Sequence, residues 1–133
     1  MPPLGPREML ARLIAFDTTS RNSNLALVGF VRDYLDGFGV RSDLVLDDAG
    51  GKANLLAVVG PDDRPGVVLS GHTDVVPVDG QAWSSDPFSC VERDGRLYGR
   101  GSADMKGFIA TALALVPEFR ALTLKAPVVL ALS

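Results

Sequence analysis

Cysteine and histidine are nearly absent from this sequence, which has one of each among its 133 residues, Cys90 and His72. A single cysteine excludes both an intrachain disulfide and a zinc site built from several thiolates. We therefore expect Cys90 to act as a small, partly buried apolar residue. Any metal site in this chain has only one imidazole to draw on.

Basic clusters and long apolar runs are also missing. The 13 Lys and Arg residues are scattered among 16 Asp and Glu, for a formal net charge of −3. This balance argues against nucleic acid or an anionic membrane as a partner. No apolar stretch approaches the ~20 residues of a membrane span, and residues 1–6 lack the charged-then-apolar pattern of a signal peptide. We therefore expect a single cytoplasmic domain without nucleic-acid or membrane partners.

Helix and strand signals alternate along the chain and predict an α/β fold. Apolar residues at helical spacing predict a helix over 7–16 and a second helix after Ser23 or Asn24, either of which suits an N-cap. A third helix is expected over about 105–116. The segment 75–90 shows no regular pattern, which is typical of a loop.

Strand signals flank a polar turn at 61–66, and this turn predicts a hairpin between the strands on either side of it. A hairpin at this point would make the sheet mixed. Apolar character predicts buried strands at 55–59, 67–69 and 128–132, and weaker signals predict strands at 40–46 and 96–98.

The tripeptide His72-Thr73-Asp74 directly follows one of the apolar strands. Alternate side chains of a strand point the same way, so Asp74 can hold one ring nitrogen of His72 while the other binds a metal. A lone surface histidine without a functional role is the alternative.

A glycine-rich loop, residues 99–107, opens the third helix and is a second candidate. It fails as a dinucleotide-binding loop because Asp104 stands where glycine is required and would repel a pyrophosphate, and it lacks the Gly-Lys-Ser/Thr of a P-loop. Asp104 is therefore a candidate metal ligand or a helix-capping residue. The charge of Lys106 can balance that of Asp104, and Arg100 can bind a substrate carboxylate or remain solvated or salt-bridged.

His72 and Asp104 together form a sharper hypothesis, in which both are metal ligands and Asp74 lies behind His72. Imidazole nitrogen and carboxylate oxygen suit zinc or a similar divalent ion, and a carboxylate can bridge two ions. Two protein ligands are nevertheless too few, because a catalytic zinc normally has about three.

Two long motifs, Ser70-Gly71-His72-Thr73-Asp74-Val75-Val76-Pro77 and the stretch from Asp94 to Gly107, resemble the dinuclear zinc amidohydrolases and metallopeptidases. The loop from Trp83 to Phe88 is similar as well. This family includes acetylornithine deacetylases, succinyl-diaminopimelate desuccinylases, aminoacylases and related carboxypeptidases. The resemblance implies a three-layer α/β catalytic domain with a mixed central sheet flanked by helices.

The same resemblance implies roles for three residues. His72 would bind one zinc, Asp104 would bridge two zinc ions, and Asp74 would orient and polarise His72 as a catalytic residue. Cobalt suits the same ligands. The ions would activate water and polarise an amide carbonyl. A cis peptide bond is implied between Asp104 and Met105.

Within the family, the stretches 16–25 and 78–83 resemble the acetylornithine deacetylases. They imply deacetylation of N2-acetyl-L-ornithine to L-ornithine and acetate in arginine biosynthesis. A succinyl-diaminopimelate desuccinylase or related metallocarboxypeptidase is the first alternative, and a non-catalytic binding module is the second.

The family pattern also implies that residues 1–133 are the N-terminal portion of the metal-binding catalytic domain. The general-base Glu, the remaining metal ligands and a lid or dimerisation domain would lie beyond Ser133. We therefore expect this chain alone to be inactive and to bind zinc weakly, whereas the full-length enzyme would be a homodimer acting on a small N-acetylated amino acid.

Overall fold

Helices and strands alternate along the chain in the computed structural model, which describes residues 1–133. The helices are α1 (Pro6–Ile14), α2 (Leu25–Asp36), α3 (Gly107–Ala114) and α4 (Val116–Ala121). The strands are β1 (Ser42–Leu46), β2 (Ala53–Val59), β3 (Val67–Gly71), β4 (Val91–Arg93), β5 (Arg96–Tyr98) and β6 (Val128–Leu132). None of the helices has both the length and the apolar character needed to cross a bilayer.

The main sheet has the strand order β1, β2, β6, β3 and is mixed, as expected. Strand β6 runs antiparallel to β2 and parallel to β3. The predicted hairpin between β2 and β3 is therefore wrong, because β6 lies between them. Its sequence Val-Val-Leu-Ala-Leu is apolar on both faces, which suits a central strand. Gly66 permits the insertion, since a Cβ on it would lie 2.0 Å from the carbonyl oxygen of Pro127.

All four helices contribute to one apolar core on a single face of this sheet. Alternate residues of β2 point into that core, as the period of two in a strand requires. On the opposite face Val45, Leu56 and Val68 are 64%, 46% and 58% exposed. The α/β class with a mixed sheet and flanking helices is confirmed, and residues 1–133 supply the sheet and one helix layer of the expected three.

Asn24 occupies the N-cap position of α2, but its side chain does not cap the helix. The hydroxyl of Ser23 accepts a hydrogen bond from Leu25 N instead. The Asn24 amide turns inward and bonds the backbone of Ala53 in both directions. Tertiary hydrogen bonding has thus overridden the local capping preference.

The third helix begins at Gly107, two residues later than expected, because Asp104 and Met105 have non-helical backbone angles. A separate two-stranded hairpin joins β4 to β5. Its turn places Asp94 and Gly95 at positive φ, the conformation that tight hairpin turns favour. The segment between β3 and β4 has no regular structure, as expected.

Candidate metal centre

His72 stands directly after β3, at the edge where the strand ends. Its neighbour Thr73 is buried and tied to other segments of the chain: its carbonyl accepts from the Thr18 hydroxyl at 2.6 Å, and its hydroxyl donates to the carbonyl of Ser133 at 2.7 Å. The backbone of Val75 pairs with Thr19 in an isolated bridge. These contacts hold the backbone that follows His72.

Both ring nitrogens of His72 face carboxylate or carbonyl oxygens. Nδ1 lies 2.9 Å from the backbone oxygen of Asp74 and 3.1 Å from its Oδ1. Nε2 lies 2.9 Å from Oδ1 of Asp104. The structure therefore brings the three predicted site residues together, across 32 positions of sequence between His72 and Asp104.

These contacts shift the ionisation of the site. Partial burial lowers the pKa of His72, but hydrogen bonds with the Asp74 carbonyl and the Asp104 carboxylate outweigh it, and the net shift is upward. A hydrogen bond from the Ser20 hydroxyl holds the pKa of Asp74 below its usual range. The positively charged form of His72 is accordingly favoured between the carboxylates of Asp74 and Asp104.

Asp104 lies on a tight turn, Ser102–Lys106, that is entered through Gly101 in the left-handed region, with φ of 85°. A side chain at Gly101 would also collide with Val75, since a Cβ would lie 2.6 Å from Val75 Cγ1. The peptide bond between Asp104 and Met105 is cis, as the family resemblance implied. Asp104 projects into solvent, with its side chain 85% exposed.

Two residues near the site were missed or misjudged at the level of sequence. Ser20 holds Asp74, yet in the sequence it is one more polar residue in a turn. Lys106 does not balance the charge of Asp104, because its side chain is fully buried and points away, bonding backbone carbonyls near the end of α1. Burial lowers the pKa of Lys106 to about 8. The sequence feature that could have indicated burial is the position of Lys106 in the otherwise apolar segment 105–116, which is predicted to be helical.

His72, Asp74 and Asp104 border a cavity of about 230 Å³. Arg100 borders it as well and has no carboxylate partner. Its guanidinium lies 5.1 Å from the centre of the Trp83 ring and donates to the side-chain oxygen of Gln81.

The donor atoms fit one side of a zinc site. The imidazole nitrogen and the carboxylate oxygen are the donor types that zinc takes, and their separation of 2.9 Å allows both to reach one ion. Asp74 and Asp104 contact opposite ring nitrogens of His72, so the three side chains do not converge on one ion. No other group of three or more His, Cys, Asp or Glu in residues 1–133 could hold a metal either.

Comparison with known proteins finds a family that matches part of this chain. The model of peptidase family M20/M25/M40 matches residues 68–133. The acetylornithine deacetylase of Myxococcus xanthus is 43% identical over 132 residues, which cover 96% of this chain and 34% of that protein. That of Pasteurella multocida is 39% identical over 118 residues, covering 84% and 31%. The chain thus spans about a third of the length of these curated relatives.

Solved structures share the fold. Human carnosine dipeptidase 1 matches with a TM-score of 0.80 and 28% identity, over 96% of this chain and 31% of that one. A metallo-carboxypeptidase of the M20 family from Sulfolobus solfataricus matches with a TM-score of 0.83 over 96% and 30%, at 21% identity. The matched segment 68–133 contains His72, Asp74 and Asp104. The segment 68–133 of this chain therefore belongs to peptidase family M20/M25/M40.

Proposed function

We propose that this chain takes part in metal-dependent hydrolysis of the acetyl amide of N2-acetyl-L-ornithine, which yields L-ornithine and acetate in arginine biosynthesis. The observation that carries the proposal is the contact of 2.9 Å between Nε2 of His72 and Oδ1 of Asp104, with the other ring nitrogen held by Asp74. Identity of 43% to an acetylornithine deacetylase, over 96% of the chain, supports this choice of substrate.

In this proposal His72 and Asp104 would hold zinc, and Asp104 would be a ligand shared with a second ion. When bound, zinc activates water as the nucleophile and polarises the amide carbonyl. Asp74 accepts a hydrogen bond from Nδ1–H of His72, which keeps Nε2 directed at the cavity and makes the ring a better metal ligand. Cobalt suits the same donors.

Residues 1–133 supply one part of such a centre, as the N-terminal portion of the metal-binding domain. Because only two donors come together, we expect this chain alone to bind zinc weakly and to show no appreciable deacetylase activity. Turnover of N-acetylornithine by the purified chain with zinc added would contradict this expectation. The homodimer, the cytoplasmic location and the lack of nucleic-acid or membrane partners stay predictions.

A chimera tests the function. The aligned third of the Myxococcus xanthus acetylornithine deacetylase is replaced by this chain, and hydrolysis of N-acetylornithine is measured. We expect activity in the chimera and its loss in His72→Ala and in Asp104→Asn, because each removes a ligand. Asp79→Asn is the matched control, since Asp79 is exposed and pairs only with Arg21.

The substrate panel of the same chimera includes N-succinyl-diaminopimelate and the dipeptide carnosine. A preference for the succinyl substrate would favour a desuccinylase. A preference for carnosine would favour a dipeptidase, for which the likeness to human carnosine dipeptidase 1 is the specific support. A folded chimera that neither binds zinc nor hydrolyses any of the three would favour the binding module.

A further inference from the structure

Lys106 is fully buried, and metal binding does not account for it. Its ammonium donates hydrogen bonds of 2.8 Å to the carbonyls of Leu13 and Phe16. No carboxylate lies within ion-pair distance of it. Burying a charge without a counter-charge is costly. The two carbonyls are the hydrogen-bond partners of the ammonium, and the charge of Asp17 adds to them from beyond ion-pair distance.

These carbonyls lie at the C-terminal end of α1, where the helix dipole presents partial negative charge. The same end of α1 supports the loop that carries Asp104. A Cβ on Gly99 would lie 2.8 Å from Ile14 Cδ1, so the loop backbone lies directly on the helix. Lys106 thus binds the C-terminal part of the loop to the end of α1, and Gly99, near the start of the loop, packs against the same end of this helix.

Asp104 has little else to hold it. Its side chain is 85% exposed, and its hydrogen bond is to His72. Its position is therefore set by the backbone of the turn, which closes through the bond of 2.8 Å from Lys106 N to the carbonyl of Gly101. The ammonium of Lys106 anchors that closure two residues from Asp104.

We propose that Lys106 is a positioning residue, which places the Asp104 carboxylate opposite His72 by anchoring the turn 101–107 to the end of α1. The metal that the pair would hold rests on the proposed function, whereas the anchoring itself does not.

The first test uses the metal-free chain and amide hydrogen exchange measured by NMR. Lys106→Met keeps the length and apolar stem but removes the ammonium. We expect exchange of the amides of residues 102 and 106 to become at least about tenfold faster than in wild type, relative to the amides that join β2 to β6. Val40→Ala, a core variant away from the site, controls for general loss of stability. Unchanged relative exchange at 102 and 106 in the folded variant would overturn the proposal.

A second variant covers the case in which Lys106→Met does not fold. Lys106→Cys is made in a Cys90→Ala background and alkylated in denaturant before refolding. 2-Bromoethylamine restores an ammonium at nearly the same length, and iodoacetamide leaves a neutral side chain. We expect slow exchange at residues 102 and 106 only with the ammonium. Equal protection of these amides with both reagents, or no protection with either reagent, would contradict anchoring by the ammonium.

Cobalt titration then links the anchor to the metal. We expect Lys106→Met to weaken Co²⁺ binding about tenfold, as loss of a group that orients a ligand typically does. His72→Ala defines the binding that depends on this site. If wild type shows no such binding, the proposed function fails, and the exchange result still decides the role of Lys106. Equal Co²⁺ affinity in wild type and Lys106→Met would overturn the positioning role.

Discussion

The hydroxyl of Ser20 donates a hydrogen bond of 2.5 Å to Oδ2 of Asp74, whose other oxygen lies 3.1 Å from Nδ1 of His72. Ser20 is itself held in place, because its backbone N donates to the carbonyl of Val75 and its own carbonyl accepts from the side chain of Lys52. A chain of contacts thus runs from the loop after α1 to the candidate metal ligand. Ser20 fixes the orientation of the group that orients His72.

Ser20→Ala should weaken Co²⁺ binding about threefold to tenfold, because Asp74 loses a charge-assisted hydrogen bond that restrains it. The free energy of unfolding should change little, since Ser20 is exposed. Titration calorimetry and urea unfolding measure the two effects. Ser89→Ala, at another exposed serine, serves as the control. Equal Co²⁺ affinity in Ser20→Ala and Ser89→Ala would show that Ser20 does not contribute to metal binding.

Asp74→Asn should weaken Co²⁺ binding about tenfold to a hundredfold, the usual effect of losing the carboxylate behind a metal-bound imidazole. The matched control is Asp79→Asn, in which the same change falls on an exposed ion pair. The comparison is made at one pH and ionic strength, with His72→Ala to define site-specific binding. A loss no larger than that of the control would show that the backbone carbonyl of Asp74 alone suffices to orient the ring.

Asp17 should make the stability of the chain dependent on pH. Its Oδ1 accepts from the Thr19 hydroxyl at 2.6 Å and from the Thr19 backbone N at 3.1 Å, and these bonds lower the pKa of Asp17 below 3.8. A carboxyl with a lowered pKa in the folded state stabilises that state above its unfolded pKa. That contribution is lost as the pH falls through the folded pKa.

We therefore expect wild type to exceed Asp17→Asn in the free energy of unfolding at pH 7, with the difference shrinking below about pH 4. Urea unfolding of both proteins across this range measures it. In a Thr19→Val background the difference should be smaller throughout, because the hydroxyl that contributes most to the shift is gone. A difference that is the same at pH 3 and pH 7 would contradict the assignment.

Asn24→Ala should lower the free energy of unfolding by about 2–3 kcal/mol, because it leaves buried backbone groups unpaired. The amide of Asn24 exchanges two hydrogen bonds of 2.9 Å with the backbone of Ala53 and donates to Thr73 Oγ1 at 3.0 Å. Asn54→Ala, at an exposed position of β2, should cost less than about 0.5 kcal/mol. Chemical denaturation measures both free energies of unfolding. Equal losses in Asn24→Ala and Asn54→Ala would mean that water replaces the hydrogen bonds of Asn24.

Local pattern was sufficient for most of the secondary structure. The strand at 128–132 is found with the expected bounds, and the first helix differs by only one or two residues at its ends. Such segments are predictable because periodic burial of apolar side chains is written into neighbouring residues. The pairing of β6 between β2 and β3 was not predictable in this way, since it joins segments about 70 residues apart.

The residue types of the site are evident from the amino-acid sequence: one imidazole beside a carboxylate after a strand, and a carboxylate in a glycine-rich turn. The chemistry of these residues predicted that His72 and Asp104 are ligands of one site, and the family likeness added that Asp104 bridges two ions and that Asp74 polarises His72. Three features emerge from the folded chain alone: the approach of these atoms to 2.9 Å, the hydrogen bond from Ser20 to Asp74, and the burial of Lys106 against α1. Side-chain chemistry belongs to single residues, whereas these contacts depend on how the end of α1, the β3 edge and the turn at 101–107 pack together.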